Sequence, residues 1–495
     1  MNINEVFTKL STSPFTSSSR LSWWGGIIGV IVGLISGVLA GFQPLILCLL
    51  VVTTAILFSF FTHFEQTVLG LLVLRSSLDI FSDWQIPAVF AIALDCLTLI
   101  YIAILLLTHQ KIRTDWFWWF LAIWVVIQGL WVIILPLGGL GLGGSFTLDA
   151  IREWVRIFSW LMVYLLVMQL QDKMSPEKII KILFLSLIIP LVLALMQLVI
   201  PGALPEILSA TSVRSVESSM AVSRVRGTLG HSNTFTTFLL FFISLTIWQL
   251  EQNKRKTFWL CLLGILAFFF ASAKALFGLI ALVILVFVLI IPRLNFINLI
   301  GGTLLLLLIL GFFISSDFGQ ERLGSLTGTP LLNPDIDLWK AILLSRGDGN
   351  SFNWRLAEWQ YLWEKWKLFP WWGYGLGLSP YVSDSSLLPH NDYLRALVEG
   401  GIIGFFSFLS LFLVQGLRLY ELFKSSSRRQ KNLCFIMLAL LIALAVGMIT
   451  ENIWSHTTLF FYWYTVLAIL GWNWPKEKNT NYSQQSKFSN SIELN

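Results

Sequence analysis

Charge is what this 495-residue sequence has least of: acidic and basic side chains make up 12% of it, about half the share usual in soluble globular chains. Too few polar groups remain to coat a water-soluble protein of this length, so a soluble fold is excluded. Disorder is excluded as well, because 56% of the residues are hydrophobic and disordered chains are poor in them. Cysteine is scarce, and Cys48, Cys96, Cys261 and Cys434 stand far apart. Neither a disulfide framework nor a zinc spacing can be drawn through them. A metal centre also lacks its ligands: Asp335 and Asp337 are one residue apart with no His or further acid beside them, and no metal site is assigned there. The net charge of +6 is small, and in so apolar a chain it reflects basic loops on one side of a membrane rather than a nucleic-acid surface.

What the sequence does have is long apolar runs. A helix needs about 20 apolar residues to cross a bilayer core while bonding its own backbone. Such runs occupy 25–42, 44–62, 66–82, 87–108, 116–136, 151–170, 179–200, 233–250, 257–273, 275–292, 296–314, 393–417, 433–450 and 458–473. The third is interrupted by Arg75 and Asp79. The expected fold is therefore all-α, a polytopic transmembrane helical bundle of about 12–14 spans. No small-residue cleavage site closes the first run, so it is taken as an uncleaved span behind a polar tail at 1–24. Orientation follows from Lys and Arg, which stay cytoplasmic in short loops. Lys111 and Arg113, Lys173, Lys178 and Lys181, Lys254 to Lys256, and Arg418 to Lys431 define one face together with the tails 1–24 and 475–495. The expected organisation is then transmembrane helices over 25–314 with an outer loop at about 201–232, a large extracytoplasmic loop with short helices at 315–392, and closing helices over 393–474.

Cationic and titratable residues gather on the outer side: Arg224, Arg226, Lys274, Arg355 and His390. Arginine offers a planar fork matched to phosphate oxygens and lysine a point charge, so the set is complementary to a diphosphate. The plainer alternative is that these arginines pair with Glu217, Asp348 or Glu358 and only hold the loops. Ser232 or Asn233 is a natural N-cap for the helix after Arg226–His231, and Pro389–Asp392 precedes another helix, so two N-termini face outward. Asn353 is expected to cap a third helix running to about Phe369, with Arg355 in its first turn, where an arginine opposes the helix dipole unless an anion sits nearby.

Histidine is rare, five in all. His390 beside arginines on a water-facing ledge suits a general base. His63 and His109 read as interfacial side chains, while His231 and His456 are open between capping and function. Trp359, Trp363 and Trp366 share a helical face, which suits the headgroup layer or a sugar platform. Gly373–Gly377 follows no strand and is not a nucleotide loop. Arg395 and Glu399 are i, i+4 partners and read as a structural ion pair, with Asp95 a further buried charge.

Arg226-Gly227-Thr228 followed by Asn233, Trp354-Arg355 with Pro370 to Gly377, and His390 to Leu394 followed by Glu399-Gly400-Gly401 together resemble the O-antigen ligase and O-antigen polymerase family of membrane glycosyltransferases, over roughly residues 150–450. The resemblance implies an enzyme of the cytoplasmic (inner) membrane, working on its extracytoplasmic face in surface polysaccharide biosynthesis. It would transfer or polymerise a glycan from an undecaprenyl-diphosphate-linked donor onto an acceptor glycan or glycolipid, among membrane lipids and with no cofactor, metal or nucleic acid. Carried over, Arg226 and Arg355 hold the diphosphate and His390 is the base. Arg224, Lys274, His231, Asn233, Asn391 and Tyr393 contact substrate, although Lys274 stands where many relatives carry arginine. An inorganic-carbon (anion) transporter and a non-catalytic envelope-assembly scaffold are the competing readings. No inverted repeat or matched pair of broken spans supports transport.

Overall fold

A computed structural model describes residues 44–214, 221–252, 256–293, 296–317, 319–320, 330, 333–344, 351–425 and 427–474. The expected tails at 1–24 and 475–495, the span at 25–42, Lys254, Arg255, Glu217 and Asp348 lie outside the described residues. The chain divides at Thr67 into two compact units. The first holds α1, Pro44–Thr62, and the start of α2, Phe64–Leu74. The second begins at Val68 and contains every residue of the candidate site.

The fold is all-helical save for one antiparallel hairpin, β1 (Thr211–Arg214) and β2 (Ala221–Arg224), with Val213 opposite Val222. Among the described residues six helices are long and apolar enough to cross a membrane: Ile86–Leu107, Trp116–Leu137, Pro176–Val199, Ser232–Gln252, Asp392–Lys424 and Arg428–Gly447. This is a multi-pass membrane protein. Other runs of the expected 12–14 form shorter apolar helices, Lys256–Ser272, Leu276–Ile290 and Thr457–Leu470 among them. The run at 66–82 is not one helix either. It leaves α-geometry at Leu74 and continues as 3₁₀ turns, where Arg75 Nη1 bonds Asp79 Oδ1 at 2.5 Å and Thr457 and Thr458 complete the pair.

In chain order, α3 is Ile86–Leu107, α4 Trp116–Ile134, α5 Thr147–Met168, α6 Pro176–Leu183 and α7 Ile188–Val199; α8 is Ser232–Gln252, α9 Lys256–Ser272, α10 Leu276–Ile290 and α11 Phe296–Ser315. They are followed by α12 (Leu338–Leu344), α13 (Ser351–Trp366), α14 (Ser379–Val382), α15 (Asp392–Ser425), α16 (Arg428–Gly447) and α17 (Thr457–Leu470). The span window in α8 is 83% buried, against 28% in α3 and 33% in α4; α8 is therefore central and the other two are rim helices whose apolar faces meet lipid. Every residue of α17 from Thr458 to Leu470 is buried. Trp160 of α5 packs edge-on to Trp454 with ring centres 4.8 Å apart, and Phe460 and Tyr464 close the same aromatic core.

The longest helix is broken, and the break explains two of the sequence motifs. Within α15, Gly401 adopts φ +61° and ψ −162°, a left-handed backbone that favours glycine. The break leaves the carbonyls of Val398 and Glu399 without helical partners, and they accept the N–H groups of Tyr374 and Gly375, each at 2.9 Å. Pro370 O accepts in return from Ile402 N at 2.8 Å. A Cβ on Gly401 would lie 2.3 Å from the backbone of Trp371. The Pro370–Gly377 segment is thus the hydrogen-bonding complement of the Glu399-Gly400-Gly401 break, as buried backbone requires. Beneath it Arg395 bonds Glu399 and Glu153, each at 2.9 Å, and Ser455 at 2.7 Å. We expect Gly401→Ala to cost about 3 kcal/mol or more, seen as a lower melting midpoint of the detergent-solubilised protein.

Candidate functional site

The segment from β2 into α8 is shaped by Gln197 of α7. Its Oε1 accepts from the N–H of Arg226 and Gly227 at 3.0 and 2.9 Å, and its Nε2 donates to Leu208 O and Gly227 O. Within this loop Arg226 donates through Nε to Ser209 O, through Nη1 to Gly230 O and through Nη2 to Ile207 O, at 2.9–3.1 Å. Three of its five N–H groups therefore staple the loop. Arg224 reaches the other way. Its Nε bonds Ala273 O at 3.2 Å, beside Lys274 in the α9–α10 turn, and its Nη2 bonds Asn233 Oδ1 at 2.8 Å.

Asn233 and His390 meet at a residue that the sequence reading did not select. Glu451, in the turn between α16 and α17, accepts on Oε2 from Asn233 Nδ2 at 2.5 Å. On Oε1 it accepts from His390 Nδ1 at 3.2 Å and from Asn452 N at 3.1 Å. Arg355 Nη2 lies 3.9 Å from Oε2, and its Nη1 donates to Thr450 O at 2.8 Å. The Glu451 side chain is 5% exposed, while those of His390 and Arg355 are 25% and 24% exposed. A buried carboxylate thus holds an accessible imidazole and an accessible guanidinium at one end of the bundle. Burial by itself would raise the Glu451 carboxyl, but the His390 hydrogen bond and the charges of His390, Arg355 and His456 outweigh it and hold the group down at about 2.

His390 has φ +51°, a conformation that costs a non-glycine residue on the order of 1–3 kcal/mol. Flanking bonds hold it there: Trp359 Nε1 to Pro389 O at 2.6 Å, and Asp392 N to Met448 O at 2.9 Å. The Trp354 ring stands edge-on to the imidazole at 6.1 Å. Lys274 is also left-handed, at φ +50°. His456 is buried, with Nδ1 2.9 Å from Thr237 Oγ1; its desolvation pushes it down to about 4 against the opposing pull of Glu451. His231 keeps an accessible edge but is crowded by surrounding protein. That desolvation lowers its affinity for a proton, Glu451 opposes the effect, and Arg224, His390 and Arg226 add to it.

Several expectations are corrected by this geometry. The N-cap of α8 is neither Ser232 nor Asn233: His231 Nδ1 accepts the N–H of Asn233 at 3.1 Å, and the Asn233 side chain is drawn into the site. Asn391 Oδ1 caps α15 by accepting from Tyr393 N and Leu394 N at 3.1 and 3.0 Å, so that helix end is already satisfied. Tyr393 Oη bonds Ala445 O at 2.7 Å and ties α15 to α16. Helix α13 starts at Ser351 rather than at Asn353, which moves Arg355 to the second turn and removes the dipole cost expected there. Asp337 Oδ1 meets the N–H of Lys340 at the start of α12, and among the described residues no cluster of metal-ligating side chains is present. Asn391 and Tyr393 do line a groove of about 480 Å³ with Trp359, Gln360, Trp363 and Leu394.

Such an end presents an oriented imidazole beside fixed cations. Residues 257–409 match the Wzy_C family model, O-antigen ligase. The matched stretch contains Lys274, Arg355 and His390 together with the paired Pro370–Gly377 and Glu399–Gly401 motifs. Arg224, His231, Asn233 and Glu451 lie on either side of that stretch, so the site joins matched and unmatched segments. No curated protein matches the chain.

Proposed function

We propose that the protein transfers or polymerises a glycan from an undecaprenyl-diphosphate-linked donor onto an acceptor glycan or glycolipid. The observation that carries this reading is the 3.2 Å contact of His390 Nδ1 with buried Glu451, with Arg355 on the same carboxylate. Because Nδ1–H faces the carboxylate, Nε2 is left as the proton acceptor. The acceptor hydroxyl gives its proton to Nε2 as its oxygen attacks the anomeric carbon, and the sugar–diphosphate C–O bond breaks with its electron pair on the diphosphate. Arg355, Arg224 and Lys274 supply cations that need not reorganise as that charge develops. Arg226 shapes the loop that carries Arg224 and His231.

The site end is proposed to face outward from the cytoplasmic membrane. Basic residues gather at another part of the bundle, where Arg113 pairs with Asp172, Arg418 with Asp115 and Arg429 with Glu177, in keeping with cytoplasmic retention of Lys and Arg. The test is the surface polysaccharide of a deletion strain. Chains of one repeat indicate a polymerase, intact polymer left on its lipid carrier indicates a ligase, and an unaltered surface glycan rejects the proposal.

A further inference from the structure

The two accessible histidines of the site are held in opposite proton arrangements. His390 presents Nδ1 to a carboxylate, so Nδ1 carries the proton. His231 presents Nδ1 to a backbone donor, the N–H of Asn233 at 3.1 Å, so here Nδ1 must accept and the proton sits on Nε2. Asn233 links the two, its backbone fixing His231 and its side chain bonding the Glu451 that fixes His390. No acceptor meets His231 Nε2 among the described residues. The ionisable groups around His231 include Arg224 on β2, Arg226 on the loop, His390 before α15, and Glu451 and His456 before α17. Protonating Nδ1 would break the Asn233 bond and add a cation beside two guanidiniums at the positive end of α8.

We propose that His231 is a neutral N–H donor to the departing diphosphate oxygen, a further catalytic group in the transfer reaction above, on which this assignment rests. As the C–O bond breaks and its electron pair settles on that oxygen, His231 Nε2–H bonds to it and keeps its proton, while the acceptor's proton resides on His390. A neutral donor suits this position because His390 becomes cationic in the same step, and a second imidazolium would oppose that change. A fixed donor aimed at developing charge is worth about 10²–10³ in rate.

The arrangement makes two substitutions behave oppositely. His231→Asn keeps an acceptor that caps α8 but removes the N–H at the Nε2 position; His231→Gln keeps an N–H there but weakens the cap. We expect transfer to fall about 10²-fold in His231→Asn and to stay within about tenfold of wild type in His231→Gln. The reverse order would leave His231 a helix cap only and overturn the proposal. A second readout uses full-length protein labelled with [15N]histidine, the His231 signals being identified by their loss in His231→Asn. An Nε2–H tautomer at pH 7 whose Nε2 shifts on addition of inorganic diphosphate is expected. An Nδ1–H tautomer, an imidazolium, or no response to inorganic diphosphate overturns it. His390→Ala separates the two levels: if that variant is inactive while His231→Asn is fully active, only the donor assignment fails, and if His390→Ala remains active, the transfer reading fails with it.

Discussion

His390→Ala should lower glycan transfer by about 10²–10⁴-fold, the usual contribution of a positioned general base, while the protein still inserts in the membrane. The side chain is 25% exposed and packs no core. Its loss leaves Glu451 bonded to Asn233 and to Asn452 N, so the expected stability change is about 1–3 kcal/mol, that of one hydrogen bond to a buried group. Arg355→Ala should act on a different part of the step, weakening capture of the diphosphate and its charge stabilisation together. Arg355→Lys should restore transfer only in part, because an ammonium cannot reproduce the fork that holds Thr450 O on one side and faces Glu451 on the other. The measurement is transfer from lipid-linked donor in proteoliposomes at matched protein levels. Transfer at wild-type rate by both alanine variants would show that neither side chain takes part in the step and sink the roles given to them; no transfer by the wild type, with the surface glycan of cells left intact by both variants, would favour a scaffold.

The helices were legible because lipid imposes a length on them: the apolar run at 87–108 is the helix Ile86–Leu107, and that at 116–136 begins at Trp116. Arg75 and Asp79 announced the break after Leu74, since an ion pair cannot sit on a lipid-facing helix without partners. The β hairpin was not legible, because four-residue strands carry too little periodicity. His390 and Arg355 stood out by chemistry and are brought together. Glu451 did not, because it lies 61 residues from His390 and 218 from Asn233 along the chain, and only folding makes them neighbours. The one local signal was an acid in a very short turn between two apolar runs, a costly place for an unpaired charge. The resemblance set Arg226 ahead of Arg224, but the sequence could not show that carbonyls of residues 207–230 occupy Arg226, because only the fold defines their path.

Glu451→Gln should be nearly as damaging as loss of His390, although it removes no volume. Both carboxylate oxygens accept hydrogen bonds, whereas a glutamine amide offers one acceptor and one donor. If its NH₂ turns to His390, the imidazole moves its proton to Nε2 and ceases to be a base; a tautomer error of this kind costs about 10⁴-fold in a serine protease triad. If the NH₂ turns to Asn233 instead, two donors face each other and about 1–3 kcal/mol of stability is lost. Acid stability distinguishes the ionic role from simple packing. Glu451 is depressed from its ordinary 4.5 to about 2, so its contribution, roughly 3 kcal/mol, is complete above pH 4.5 and lost as pH falls toward 2. His456 is depressed from 6.5 to about 4; as a base buried in its neutral form it stabilises fully above pH 6.5 and progressively less down to pH 4. Wild-type protein should therefore melt at falling temperature in two successive windows on acidification. Glu451→Gln should abolish the lower window and retain the upper, since His456 stays buried against Thr237. A melting midpoint that stays level from pH 7 to pH 3 in the wild type would mean that Glu451 is not the ionised hub on which the orientation of His390 depends.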